Sequence, residues 1–116
     1  MKNSGKWTEG RYRAFIRAVL RSGMRRWPPK WEALRAAYTA TKINALSGRL
    51  AKHYRCAKCK KAYVQKSVQV DHITPVVLKN KPSSWDVYVK RLFCEKENLQ
   101  VLCKTCHKVK TKKERL

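Results

Sequence analysis

The sequence predicts an α+β fold, with basic helices over residues 1–52 and a small cysteine-stapled core over residues 53–116. Three observations carry that expectation. Apolar residues near the N-terminus recur with a helical period. Beyond Tyr63 the pattern turns to β-formers that alternate with polar residues. Two Cys-x-x-Cys pairs bracket this second region.

The first helix is expected from about Thr8 to Arg21. Thr8 suits an N-cap, and Tyr12, Phe15, Ile16, Val19 and Leu20 recur at i, i+3, i+4, i+7 and i+8 as one apolar stripe. Ser22-Gly23 ends it. Arg13, Arg17 and Arg21 form a separate i, i+4, i+8 row. Like charges so spaced are mildly destabilising, and a polyanion would relieve them; a solvated helix face is the plainer alternative. A second helix is expected to begin at Pro28-Pro29, because proline suits the first turn, and Trp31, Leu34 and Tyr38 share one of its faces. Thr39–Leu50 is ambiguous, and a loop followed by a short helix is one arrangement. The four Trp read as packing residues rather than as platforms for bases.

In the second region Val68 and Val70 alternate with Gln69, so Ser67–Ile73 reads as a strand closed by Pro75. Ser83 or Ser84 caps a helix carrying Trp85, Val89 and Leu92. Asn98–Leu102 reads as a second strand and Thr105–Lys113 as a final helix.

Charge narrows the partner. The 116 residues hold 29 Lys plus Arg against 7 Asp plus Glu, a formal net charge of +22. Such self-repulsion opposes compaction and calls for a polyanion, a cross-link or a metal. A neutral secreted module is disfavoured, and a nucleic-acid partner is favoured. A hydrophobic content of 43 % with only 4 Gly and 4 Pro argues against disorder. Apolar runs are far too short for a membrane span, and Lys and Arg interrupt Lys2–Arg17 where a signal peptide needs an apolar core. A cytoplasmic or nucleoid location is the default expectation. In a reducing cytosol the 5 Cys suit metal binding better than disulfides.

Cys56-x-x-Cys59 and Cys103-x-x-Cys106, with 43 residues between them, present four thiolates to one tetrahedral ion, as in a structural zinc site. A redox role explains one pair but not two. Cys94, within Leu92-Phe93-Cys94, reads as a small buried hydrophobe. His107 directly follows Cys106. Successive helical side chains diverge by about 100°, so a Cys106 that faces zinc leaves His107 free for another ion. Asp71 and His72 adjoin one another at the end of the expected strand. A carboxylate with imidazoles suits a divalent cation such as Mg²⁺, Mn²⁺ or Zn²⁺. His53 reads as structural or solvated.

Val70-Asp71-His72-Ile73, Asn98-Leu99-Gln100-Val101-Leu102-Cys103 and Cys106-His107-Lys108-Val109-Lys110-Thr111 together resemble the HNH nuclease family, most of all its small, phage-borne, zinc-containing endonucleases. The resemblance covers residues 56–111. It implies a ββα-metal core. It also implies that His72 acts as general base and that Asp71 and His107 hold a single catalytic cation. By the same resemblance Asn98 orients His72 or reaches the metal, and Lys108 and Lys110 lie near phosphate. The implied reaction is hydrolysis of DNA with low sequence specificity, leaving 5′-phosphate and 3′-hydroxyl ends. Arg13, Arg17 and Arg21 would grip the backbone. The implied setting is a monomer in the host cytoplasm, with a phage packaging or replication partner. The chemistry suits the residues, since an imidazole titrates near neutral pH and a cation can stabilise phosphoryl and leaving oxygens. A non-catalytic zinc-containing nucleic-acid-binding protein fits the composition equally well, but it has no use for Asp71, His72, Asn98 and His107 in that order.

Overall fold

A computed structural model describes residues 2–77 and 84–115. Helix α1 spans Glu9–Ser22, capped by the Thr8 hydroxyl, which accepts the Arg11 N–H at 3.1 Å. A 3₁₀ turn, Gly23–Arg26, leads to α2, Pro28–Ala36, with proline in the first turn as expected. Strands β1 (Tyr38–Ile43), β2 (Leu50–Arg55) and β3 (Ala62–Val64) form one antiparallel sheet in that order. Strand β4 (Val68–His72) pairs antiparallel with β5 (Leu99–Cys103) in a second sheet. Helix α3, Trp85–Leu92, lies between them in sequence, and α4, Lys104–Arg115, follows β5 directly. The fold is therefore mixed α+β. Among the described residues, no helix is long and apolar enough to cross a membrane.

Several expectations need correction. Tyr38 shares no face of α2, which ends at Ala36; it opens β1. Thr39–Leu50 holds no helix. It forms most of β1 and the turn into β2, with Ile43 opposite Leu50 and Gly48 at φ +72° closing the turn. Strand β2 runs across residues 52 and 53 and pairs with β1 on one side and β3 on the other. The apolar stripe of α1 is present, but none of its residues is buried. Phe15 and Val19 are 50 % and 53 % exposed, and Phe15 rests on the edge of Trp7 at 5.4 Å between centroids. Ser84 caps α3, its hydroxyl accepting the Val87 N–H; Ser83 lies outside the described residues.

The core is built where α2 covers the two sheets. Leu34 of α2 packs with Tyr54, Val68 and Val101, and Trp31, Tyr63 and Val70 fill in around them. A second cluster joins Leu102 to Cys56 and Cys103. The tryptophans pack, as their sequence context suggests. The Trp27 indole donates to the Cys94 carbonyl at 2.7 Å and meets Phe93 edge to face, and Trp31 donates to the Arg25 carbonyl at 2.8 Å. Gly23 admits Phe93: a Cβ there would stand 3.2 Å from its ring. Cys94 is half-buried, and burial pushes its thiol up. His53 is buried on β2, its Nδ1 2.9 Å from the Ala51 carbonyl oxygen.

Candidate metal centre and histidine site

Four cysteines from separate elements converge. Cys56 follows β2, Cys59 lies in the turn before β3, Cys103 ends β5 and Cys106 sits in the first turn of α4. Their sulfurs all lie within 4.8 Å of one another and could hold a metal ion. Backbone geometry builds the first pair: Lys60 N–H reaches the Cys56 carbonyl, and Lys60 takes φ +66° to close the turn. The second pair uses the helix start, where the Cys103 sulfur accepts the Cys106 N–H at 3.4 Å in place of a capping oxygen.

The electrostatics suit a cation. Burial pushes the Cys56 thiol up, but hydrogen bonds from backbone N–H groups, including Lys58 at 3.4 Å, bring it down to about 6. The Tyr63 hydroxyl, 3.4 Å from the Cys59 sulfur, lowers Cys59 and is itself raised. Cys106 is pushed up to about 12, first by its hydrogen bond with Cys103 and then by burial and the other sulfurs. Four crowded sulfurs cannot all shed protons without a counter-charge, which a bound cation would provide.

The adjacent residue on α4 faces elsewhere. His107 is no member of the sulfur cluster; its Nε2 stands 3.5 Å from the Asp71 Oδ1. Asp71 is placed by β4, directly opposite Gln100 of β5. Its second oxygen, Oδ2, takes Lys110 Nζ at 3.1 Å and Gln100 Nε2 at 3.3 Å. Lys110 also donates to the His72 carbonyl at 3.0 Å and pairs with Glu114. Burial draws the Lys110 ammonium down, but Glu114 and Asp71 together hold it above its ordinary range.

His72 lies next to Asp71 with its Nε2 2.8 Å from the Leu92 carbonyl oxygen. A carbonyl can only accept, so Nε2 carries the proton and Nδ1 of the neutral ring keeps its lone pair. Among the described residues, Asn98 forms no hydrogen bond with the His72 ring or the Asp71 carboxylate. Its Oδ1 accepts the Thr74 N–H at 3.0 Å and its carbonyl accepts the Ile73 N–H at 2.8 Å, which pins the chain just past His72.

Asp71, His72, Lys110 and Glu114 line a cavity of about 480 Å³, which Arg21 and Lys30 of the N-terminal segment also reach. The other members of the arginine row lie apart from it. Arg13 stacks over Trp85 of α3 at 4.5 Å and Arg21 donates to the Tyr88 hydroxyl at 3.0 Å, so two of the three dock α1 onto α3. Arg17 is half-buried, and Lys108 is exposed on α4. Sequence reading missed Leu92, Gln100 and Glu114. Only the Lys110/Glu114 spacing of four gave a signal. Comparison with family models, curated proteins and solved structures finds no match to this chain.

Proposed function

We propose that this protein is a metal-dependent endonuclease of the HNH type that hydrolyses DNA phosphodiester bonds, with a structural zinc in the four-cysteine site. The observation that carries the reading is the division of labour on one turn of α4. Cys106 joins three sulfurs, while His107 stands 3.5 Å from Asp71, beside His72. Zinc is supported by the donor set. Four sulfurs about 2.3 Å from one ion lie about 3.8 Å apart, and Cys59 and Cys103 are 4.0 Å apart.

Asp71 Oδ1 and His107 Nε2 would hold the catalytic cation, Mg²⁺, Mn²⁺ or Zn²⁺. Their separation suits two ligands of one ion, since atoms about 2.1 Å from it and about 110° apart lie about 3.4 Å from each other. The bound cation would supply charge stabilisation to a phosphoryl oxygen and to the leaving oxygen. Lys110 and Gln100 hold Oδ2 and so keep Oδ1 turned to His107. The Leu92 carbonyl fixes the His72 tautomer, and Nδ1 takes the proton of the attacking water. Asn98 positions the chain that follows His72. Arg21 and Lys30 bring positive charge to the cavity where a phosphate would lie.

One observation favours the rival reading, a non-catalytic zinc-containing nucleic-acid-binding protein. The Lys110 ammonium already neutralises part of Asp71, as it would in a purely structural pair. A plasmid assay across Mg²⁺ and Mn²⁺, with and without EDTA, separates the two. The nuclease reading expects metal-dependent nicking or linearisation. It expects His72→Ala to abolish that activity while DNA binding and bound zinc persist. Undiminished cleavage by the variant, or none by the parent with any cation, overturns it.

A further inference from the structure

We propose that the β1–β2 hairpin is a duplex-DNA-binding arm, set apart from the histidine site, that places an apolar tip in a groove between two lines of phosphates. Charge is the first argument. Residues 33–70 contain nine Lys or Arg and no Asp or Glu; all seven acids of the chain lie outside this stretch. The arm itself carries Lys42, Arg49, Lys52 and Arg55, and none of them forms an ion pair among the described residues. Arg49 and Lys52 line an open concavity of about 730 Å³ together with Lys66.

Exposure is the second argument. Every residue of β1 is exposed. At the far end Leu46 is 97 % exposed, and the cross-strand pair Ile43 and Leu50 is 65 % and 72 % exposed. A solvated ribbon usually ends in polar turn residues, whereas here three large aliphatic side chains are exposed at the tip, with Lys42 and Arg49 next to them along the chain. Register gives the third argument. Thr41 opposes Lys52 on the face shared by Ile43 and Leu50, and Lys42 opposes Ala51 on the other face. Both faces of the ribbon therefore carry a cation. A two-stranded ribbon is an element that the major groove, about 12 Å wide, admits, and aliphatic side chains there meet thymine methyls. The cations would meet the flanking phosphates.

The choice of DNA as the polyanion rests on the nuclease reading; the binding itself does not. The test is fluorescence anisotropy of a short labelled DNA duplex, without added divalent cation, over about 50 to about 300 mM salt. The triple variant Lys42→Gln, Arg49→Gln, Lys52→Gln changes only exposed side chains. It is expected to reduce the slope of log K against log salt by about 2.7, with an affinity loss on the order of 10²-fold at physiological salt. Leu46→Ser is expected to leave the slope unchanged and weaken binding about tenfold. Unchanged slope and affinity in the triple variant overturn the proposal. So does a variant that retains duplex binding but loses association with phosphatidylserine vesicles, or one that loses only self-association. If the parent fails to cut plasmid yet binds duplex through these residues, the nuclease reading falls and the arm stands. If the parent cuts and the triple variant binds as tightly, the arm falls alone.

Discussion

Replacing Cys103 by serine separates the sulfur site from the histidine site that shares its helix. Cys103 is 4 % exposed, ends β5 and sits opposite Val68 of β4. Its sulfur lies 4.0 Å from that of Cys59 and accepts the Cys106 N–H, one of the first-turn groups of α4 that lack an intrahelical partner. A structural zinc site contributes on the order of 10–16 kcal/mol to folding in small peptides, so losing one of four thiolates removes about a quarter, roughly 3 kcal/mol. Loss of the helix-capping sulfur adds up to about 1 kcal/mol, since the serine hydroxyl restores part of that bond. The total, about 3–4 kcal/mol, is a large share of the 5–15 kcal/mol that holds a typical domain together. His107→Ala is the control. His107 is about one-third exposed and its pair with Asp71 spans 3.5 Å, so its loss costs at most about 1 kcal/mol. Urea unfolding of the metal-loaded parent and both variants reads the two values, with bound metal measured alongside. Equal destabilisation by the two substitutions, or a Cys103→Ser protein within about 1 kcal/mol of the parent, refutes the division of roles on α4.

Three other outcomes follow from the packing. Leu34→Ala removes the α2 side chain that bridges Tyr54, Val68 and Val101, and should cost about 2–4 kcal/mol in urea unfolding with the metal site still loaded. Asn98→Ala removes the acceptor of the Thr74 N–H; it should cost only about 1 kcal/mol but, on the proposed nuclease reading, lower cleavage strongly, because the chain beyond His72 loses its anchor. Lys110→Met removes the ammonium from Asp71 and from the His72 carbonyl and should cost about 1–2 kcal/mol at neutral pH. Because the folded structure raises the Lys110 pKa, its contribution is present in full below the unfolded value of 10.5 and disappears as pH rises through the higher folded value; a parent-minus-variant stability difference measured from pH 7 upward checks the sign.

Local chemistry made much of this molecule legible in its sequence, and tertiary chemistry hid the rest. The Thr8 cap, proline at the start of α2, the strand pair β4–β5 and the convergence of four cysteines follow from short-range patterns. The period of α1 showed its geometry but not its neighbour. Arg13 and Arg21 took the aromatic side chains of α3, and Phe15 and Val19 were left in solvent. The β1–β2 hairpin was obscured because every residue of β1 is exposed, so no inward–outward alternation marks the strand, and Ala45-Leu46 interrupts its turn residues with apolar ones. The acceptor that sets the His72 tautomer is a backbone carbonyl twenty positions away, which no side-chain pattern can announce.

The phase of α4 links the two sites. Cys106 and His107 are about 100° apart, and Lys110 lies between them, about 40° from Cys106 and about 60° from His107. A single rotation of the helix therefore delivers a sulfur to the cluster, an imidazole to Asp71 Oδ1 and an ammonium to Asp71 Oδ2. Four sulfurs hold that rotation far more strongly than one partly exposed ion pair does, so the coupling runs one way. Disturbing the cysteines should release His107 and Lys110 from Asp71 and, on the proposed nuclease reading, abolish cleavage even with the proposed catalytic cation in excess. Removing His107 should leave the sulfur site loaded. Measuring bound zinc and cleavage together on Cys106→Ser and His107→Ala tests this. A Cys106→Ser protein that loses its zinc yet cuts DNA at the parent rate would show that something other than the sulfur cluster sets the phase of the helix.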